Sequence, residues 1–169
     1  MPGGESDSRP NQQRAILACS EGSAHRANGD YEKARTCLEK ALTLWPRYWE
    51  AINDLGVVYY HQQHYQKALE QFTAALAIKE DADLHLNLGL TYRSLGQAEK
   101  AITHFSAALE RMQDGPAAGS LRWELARLEL ERQDVAAAVR HWEKIVQRAD
   151  PSWSEQAAQL IKKYRPSAP

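Results

Sequence analysis

From Asn11 almost to the end of the chain, apolar residues recur three and four positions apart, the spacing of one face of a helix. No β-branched run alternates at the period of a strand. Proline and interior glycine fall between the periodic segments, where helices should turn. The pattern predicts an all-α chain of short helices, and it also repeats. Gly22, Gly56 and Gly89 occupy one slot at intervals of 34 and 33 residues, and Ala126 takes the same slot 37 residues later. A small residue there lets two antiparallel helices cross closely, with Ala68 answering Gly56 from the second helix. Tyr59 and Phe72 fill the space on either side. One such hairpin cannot bury its apolar faces alone, so neighbours must stack on it.

The best copy spans 49–79, with Leu55-Gly56, Tyr59, Ala68, Phe72 and Ala75-Leu76. A second spans 82–111, with Leu88-Gly89, Tyr92, Ala101, Phe105 and Ala108-Leu109. The first hairpin turns at Asn28-Gly29-Asp30 and repeats the second-helix pattern through Tyr31, Ala34, Leu38 and Ala41-Leu42. Glu21 and His25 replace its expected Leu and Tyr. After the loop 113–119, a degenerate copy carries Ala126, Ala138 and Trp142, with Glu129 in the tyrosine slot.

These residues resemble the tetratricopeptide repeat family, whose signature is Leu-Gly-x2-Tyr followed by Ala-x3-Phe-x2-Ala. The resemblance implies a right-handed superhelical solenoid of antiparallel helix pairs, with repeats over about 12–46, 48–80, 82–112 and 118–150. A helix over 152–164, capped by Ser152 or Ser154, is expected to close the array with a polar outer face. The repeat domain then covers 11–164, with mobile tails at 1–10 and 165–169.

Composition narrows the function. The formal net charge of −1 gives no overall attraction to nucleic acid or acidic lipid. No apolar run reaches the roughly 18 residues of a membrane span, so direct insertion is not expected. Cys19 and Cys37 are too few for a disulfide framework and suit a reducing compartment, so a cytoplasmic protein is expected. Both are expected to serve as small buried hydrophobes.

The resemblance also implies a concave groove lined by the first helix of each hairpin, and hence a protein or peptide partner. Carried onto this sequence, the groove would present Arg26, Asn53, Val57, Tyr60 and His61, then Leu86, Asn87, Leu90 and Arg93, and finally Trp123 and Arg127. Tyr60, Leu86, Leu90 and Trp123 would anchor a peptide or helix, while the three arginines select register and charge. Chaperone-binding relatives hold a terminal carboxylate with a cationic clamp. The matching positions here, Cys19, Ser23, Asp54, Asp83 and Asn87 in one frame and Asn53, Val57, Asn87, Ser120 and Glu124 in the next, offer no cation. An asparagine ladder of the kind found in O-linked N-acetylglucosamine transferases is represented by Asn87 alone.

No other chemistry stands out. His61 and His64 share a helical spacing but have no third ligand nearby, so neither metal nor cofactor is expected. No nucleophile–base pair points to an enzyme. The expected function is a non-catalytic interaction module acting as a scaffold, adaptor or assembly factor. The alternative is a scaffold that assembles with itself through repeat ends or a tail docked in a neighbour's groove.

Overall fold

The computed structural model describes residues 8–113, 115–148 and 152–165. Among the described residues there are helices and no strands. The helices are α1 (Ser8–Ala27), α2 (Tyr31–Leu44), α3 (Trp49–His61), α4 (Tyr65–Leu76) and α5 (Ala82–Ser94). They continue with α6 (Ala98–Arg111), α7 (Pro116–Glu131), α8 (Val135–Gln147) and α9 (Ser154–Tyr164). The helix α1 starts before the expected Asn11, because Pro10 lies in its first turn, where a missing N–H breaks no hydrogen bond. The rest of the expected N-terminal tail, 1–7, lies outside the described residues, as do 166–169 and Pro151.

Four hairpins, α1/α2, α3/α4, α5/α6 and α7/α8, share one turn. Gly29, Gln63, Gly96 and Gln133 all have positive φ, between 61° and 80°. In each turn the residue that follows donates its N–H five residues back, as from His64 to Tyr59 O (2.9 Å) and from Gln97 to Tyr92 O (2.9 Å). This left-handed ending satisfies carbonyls at the end of the first helix. Glycine adopts it freely, whereas a side chain there costs on the order of 1 kcal/mol.

The small-residue slot works differently from the simple helix crossing expected from sequence. A Cβ on Gly56 would lie 2.6 Å from the Phe72 ring, and one on Gly22 would lie 2.8 Å from Leu38 Cγ. The glycines therefore make room for a large side chain from the second helix rather than for its backbone alone. Phe72, Phe105 and Leu38 are buried as a result, each burial being worth roughly 1.5–3 kcal/mol.

Stacking uses a second set of positions. Ala51, Leu55 and Val58 of α3 pack into the first hairpin's core, and Leu121, Leu125 and Leu128 of α7 pack with Phe105. The equivalent residues of α1 are Leu17, Glu21 and Ala24, all exposed, Leu17 by 62%. At the other end α9 lies against α8 through Ala157, with Trp153, Leu160, Ile161 and Tyr164 packed around it.

The array is curved. Among the described residues α1 meets α3 and α3 meets α5, whereas α2, α4 and α6 do not approach one another. The first helices thus form the inner wall and the second helices the outer one. On the outer side, Glu80 accepts from Arg111 (2.6 Å) and pairs with His85 (2.9 Å), whose other nitrogen meets His104 at 3.0 Å.

Candidate partner-binding groove

The inner wall carries a polar ladder from one first helix to the next. Ser23 and Arg26 of α1 reach Asp54 of α3, Arg26 at 3.7 Å. Asn87 donates to Asn53 Oδ1 (2.9 Å), and Tyr60 meets Ser94 Oγ at 3.2 Å. Arg93 donates to Glu124 of α7 (2.6 Å), which also accepts from Arg127 (3.0 Å). Burial works to raise the Glu124 carboxyl, but the two arginines outweigh it and hold the group below its ordinary value. The arginines expected to read a partner's charge are thus each matched by an acid of the same chain, Arg127 also by Glu131 (2.8 Å).

Between these rungs the wall opens into two apolar clefts. One, of about 180 Å³, lies between α3 and α5 and is lined by Val57, Tyr60, His61, Asn87 and Leu90 over the Phe72 ring. The other, of about 240 Å³, lies between α5 and α7, lined by Leu86, Leu90, Met112, Ala117 and Leu121 over Phe105, with Ser120 and Glu124 at its edge. Leu90 borders both.

The second cleft has a local cause. The link from α6 to α7 lengthens the repeat, Met112 leaves the helix in extended conformation, and Pro116 starts α7 afresh. As a result α5 and α7, unlike the preceding pairs of first helices, bring no Cα atoms within 8 Å of each other among the described residues. Long side chains, chiefly Arg93 and Glu124, bridge the gap, and the apolar floor is left open beneath them.

The structure brings together Val57, Tyr60, His61, Leu86, Asn87 and Leu90, with Asn53 tied in through Asn87. Trp123 is placed elsewhere. It stacks on Trp153 (5.0 Å between ring centroids), just before α9, and packs half-buried against the α8–α9 core. Sequence reasoning missed Met112, Ala117 and Leu121 as lining residues. The two histidines of α3 and its turn go to different neighbours, His61 stacking on Tyr31 and His64 tilting against Tyr59. Among the described residues no three His, Cys, Asp or Glu side chains are grouped as a metal site, and no helix is long and apolar enough to cross a membrane. Cys19 is buried and Cys37 partly so, both as free thiols; burial, with Asp54 nearby, pushes the Cys19 thiol up.

Helical hairpins stacked into a curved array, with the first helix of each facing the hollow, define an α-solenoid of the kind used as a protein–protein interaction module. The chain belongs to the tetratricopeptide repeat family, whose profile matches residues 19–85 and 86–152. It is 30% identical over 101 residues to the anaphase-promoting complex subunit CDC16 of Saccharomyces cerevisiae, an alignment spanning 55% of this chain and 12% of that protein's length. Among solved structures it resembles PilF of Pseudomonas aeruginosa (25% identity, TM-score 0.75, covering 93% of this chain and 72% of that one). It is also similar to YrrB, a TPR protein with an unusual peptide-binding site (20% identity, TM-score 0.75, covering 95% and 84%).

Proposed function

We propose that this chain is a non-catalytic adaptor or scaffold that holds a peptide or helix of a partner protein in its concave groove. The observation that carries this reading is the pair of apolar clefts bordered by Leu90, on the wall built by the first helices. Such a surface suits buried anchors surrounded by polar register contacts. Peptide binding in the similar YrrB fold supports the assignment, and the two free thiols suit a cytoplasmic setting. Tyr60→Ala combined with Leu90→Ala is expected to abolish partner recovery in affinity capture while leaving far-UV circular dichroism unchanged. Recovery of the same partners by the double variant would move the site to another surface.

A self-associating scaffold is the second reading, and one observation favours it. Leu17 (62% exposed), the equivalent of Ala51 in α3, stands on the end of the array where a further hairpin would stack. Sedimentation velocity over a range of concentrations tests it: a mass that rises with concentration and falls with Leu17→Glu supports self-stacking, and a constant monomer mass removes it.

A further inference from the structure

Taking the groove reading as its basis, we propose that the occupant is an amphipathic helix with two large apolar side chains about two turns apart and a basic flank. Spacing favours a helix. Packed helices lie roughly 8–10 Å apart, and α5 and α7 stand no closer than that, so the clefts on either side of α5 sit at least about 10 Å from each other. A helix rises about 10.5 Å over seven residues and returns to the same face. In an extended strand, residues about 10 Å apart are three positions apart and point to opposite sides. A polyproline helix also returns to one face at about 9 Å, but its backbone groups need partners.

The polar side chains of the wall are already partly engaged with one another. Asn53 is bonded to Asn87, Tyr60 to Ser94, and Arg93 to Glu124. A ligand whose own backbone is satisfied internally leaves this ladder intact, and a helix does so.

Charge favours a basic flank. Arg26, Arg93 and Arg127 are each paired, but Glu50 and Asp83 make no ion pair among the described residues. They lie in the first turns of α3 and α5, seven residues before Val57 and Leu90, and so on the groove face. The edge of the groove at these helix N-termini is therefore acidic and fits lysine or arginine. The cleft between α5 and α7 takes the main anchor, because it is the larger and its floor is Phe105, Leu121 and Met112.

The test is a phage-displayed library of random 18-residue peptides panned on the full chain, with selected peptides measured by fluorescence anisotropy. The expected consensus has apolar residues seven apart and flanking Lys or Arg. Leu90→Asp should weaken the selected peptides at least tenfold, and Glu50→Lys with Asp83→Lys by about fivefold at low salt. A proline placed between the anchors should cost on the order of 100-fold. Peptides that need Leu90 but tolerate that proline, or carry anchors three apart, overturn the helical occupant and leave the groove reading standing. Indifference to the Glu50/Asp83 pair overturns the basic flank. Binders indifferent to Leu90→Asp, or no binders at all, overturn both readings, provided circular dichroism shows that the variant is folded.

Discussion

Replacing Gly89 by alanine sets two effects of opposite sign against each other. Gly89 lies in the middle of α5, where helix propensity alone favours alanine by about 1 kcal/mol. The new Cβ, however, would stand 2.5 Å from Phe105 Cε1 and 3.0 Å from Cγ, whereas ordinary contact begins at 3.4 Å. The ring must therefore shift by nearly 1 Å, and Phe105 is fully buried, so it cannot swing into solvent. Overpacking of a core costs about 1–3 kcal/mol, and an overlap this deep belongs at the upper end. The net loss is about 1–2 kcal/mol, which lowers Tm by roughly 2–8 °C for a chain of this size. Far-UV circular dichroism melts and urea midpoints read it directly. Phe105→Leu supplies the control for cause: the double variant should lose less than the two single losses combined, because the smaller side chain relieves the overlap. A Tm that rises in Gly89→Ala would refute the packing argument and leave propensity in charge.

Further outcomes follow from other parts of the structure. Gln63→Gly and Gln133→Gly should each raise stability by about 0.5–1 kcal/mol, since both sites have positive φ, while Gly96→Ala should lower it although a Cβ there meets nothing. Equilibrium urea titrations check all three. Burial, with the charges of Arg140 and Arg122, pushes His141 down to about 4. The unfolded chain takes up this proton near pH 6.5 and the folded one only near pH 4, so stability should fall as pH drops through that window. The slope is at most about 1.4 kcal/mol per pH unit from this residue. His104, lowered by burial and by His85, adds in the same direction, so His141→Gln should flatten the profile in part. Glu124→Ala should cost about 1 kcal/mol at low ionic strength and much less at high salt, because it strands Arg93 at the bridge between α5 and α7. With Ellman's reagent, Cys37 should react in the native protein and Cys19 only on unfolding, which a two-phase absorbance trace would show.

The repeat architecture was legible because its cause is local and periodic. Gly56 and Phe72, or Gly89 and Phe105, are forced together within one hairpin, and the pair recurs at nearly constant spacing. The groove positions followed from that register, which is why Val57, Tyr60, Leu86 and Leu90 come together. What the sequence hid depends on neighbours distant in the chain. Arg93 reads as a free cation until Glu124, on another hairpin, is placed beside it. Trp123 occupies a groove position, but its ring stacks on Trp153 from the far end of the chain. Met112 and Ala117 sit in or beside a link with no periodicity, so nothing marked them as cleft walls. Gln63 and Gln133 carry no local sign of their left-handed backbone, since glutamine does not favour it; only their alignment with Gly29 and Gly96 would have exposed them.

The gap between α5 and α7 bears on how the array comes apart. In a solenoid each hairpin is held mainly by its neighbours, so the strength of each junction sets how far cooperativity extends along the stack. The first two junctions join first helix to first helix as well as second helix to first. The third lacks the former contact and relies on α6 against α7 and on the Arg93–Glu124 bridge. Unfolding should therefore cross a seam there, with α7 to α9 opening at lower free energy than α1 to α6. Amide protons of α8 would then exchange before those of α4, although both are buried to similar depth as second helices. Ligand seated in the wedge would weld the seam, and the two exchange rates would converge.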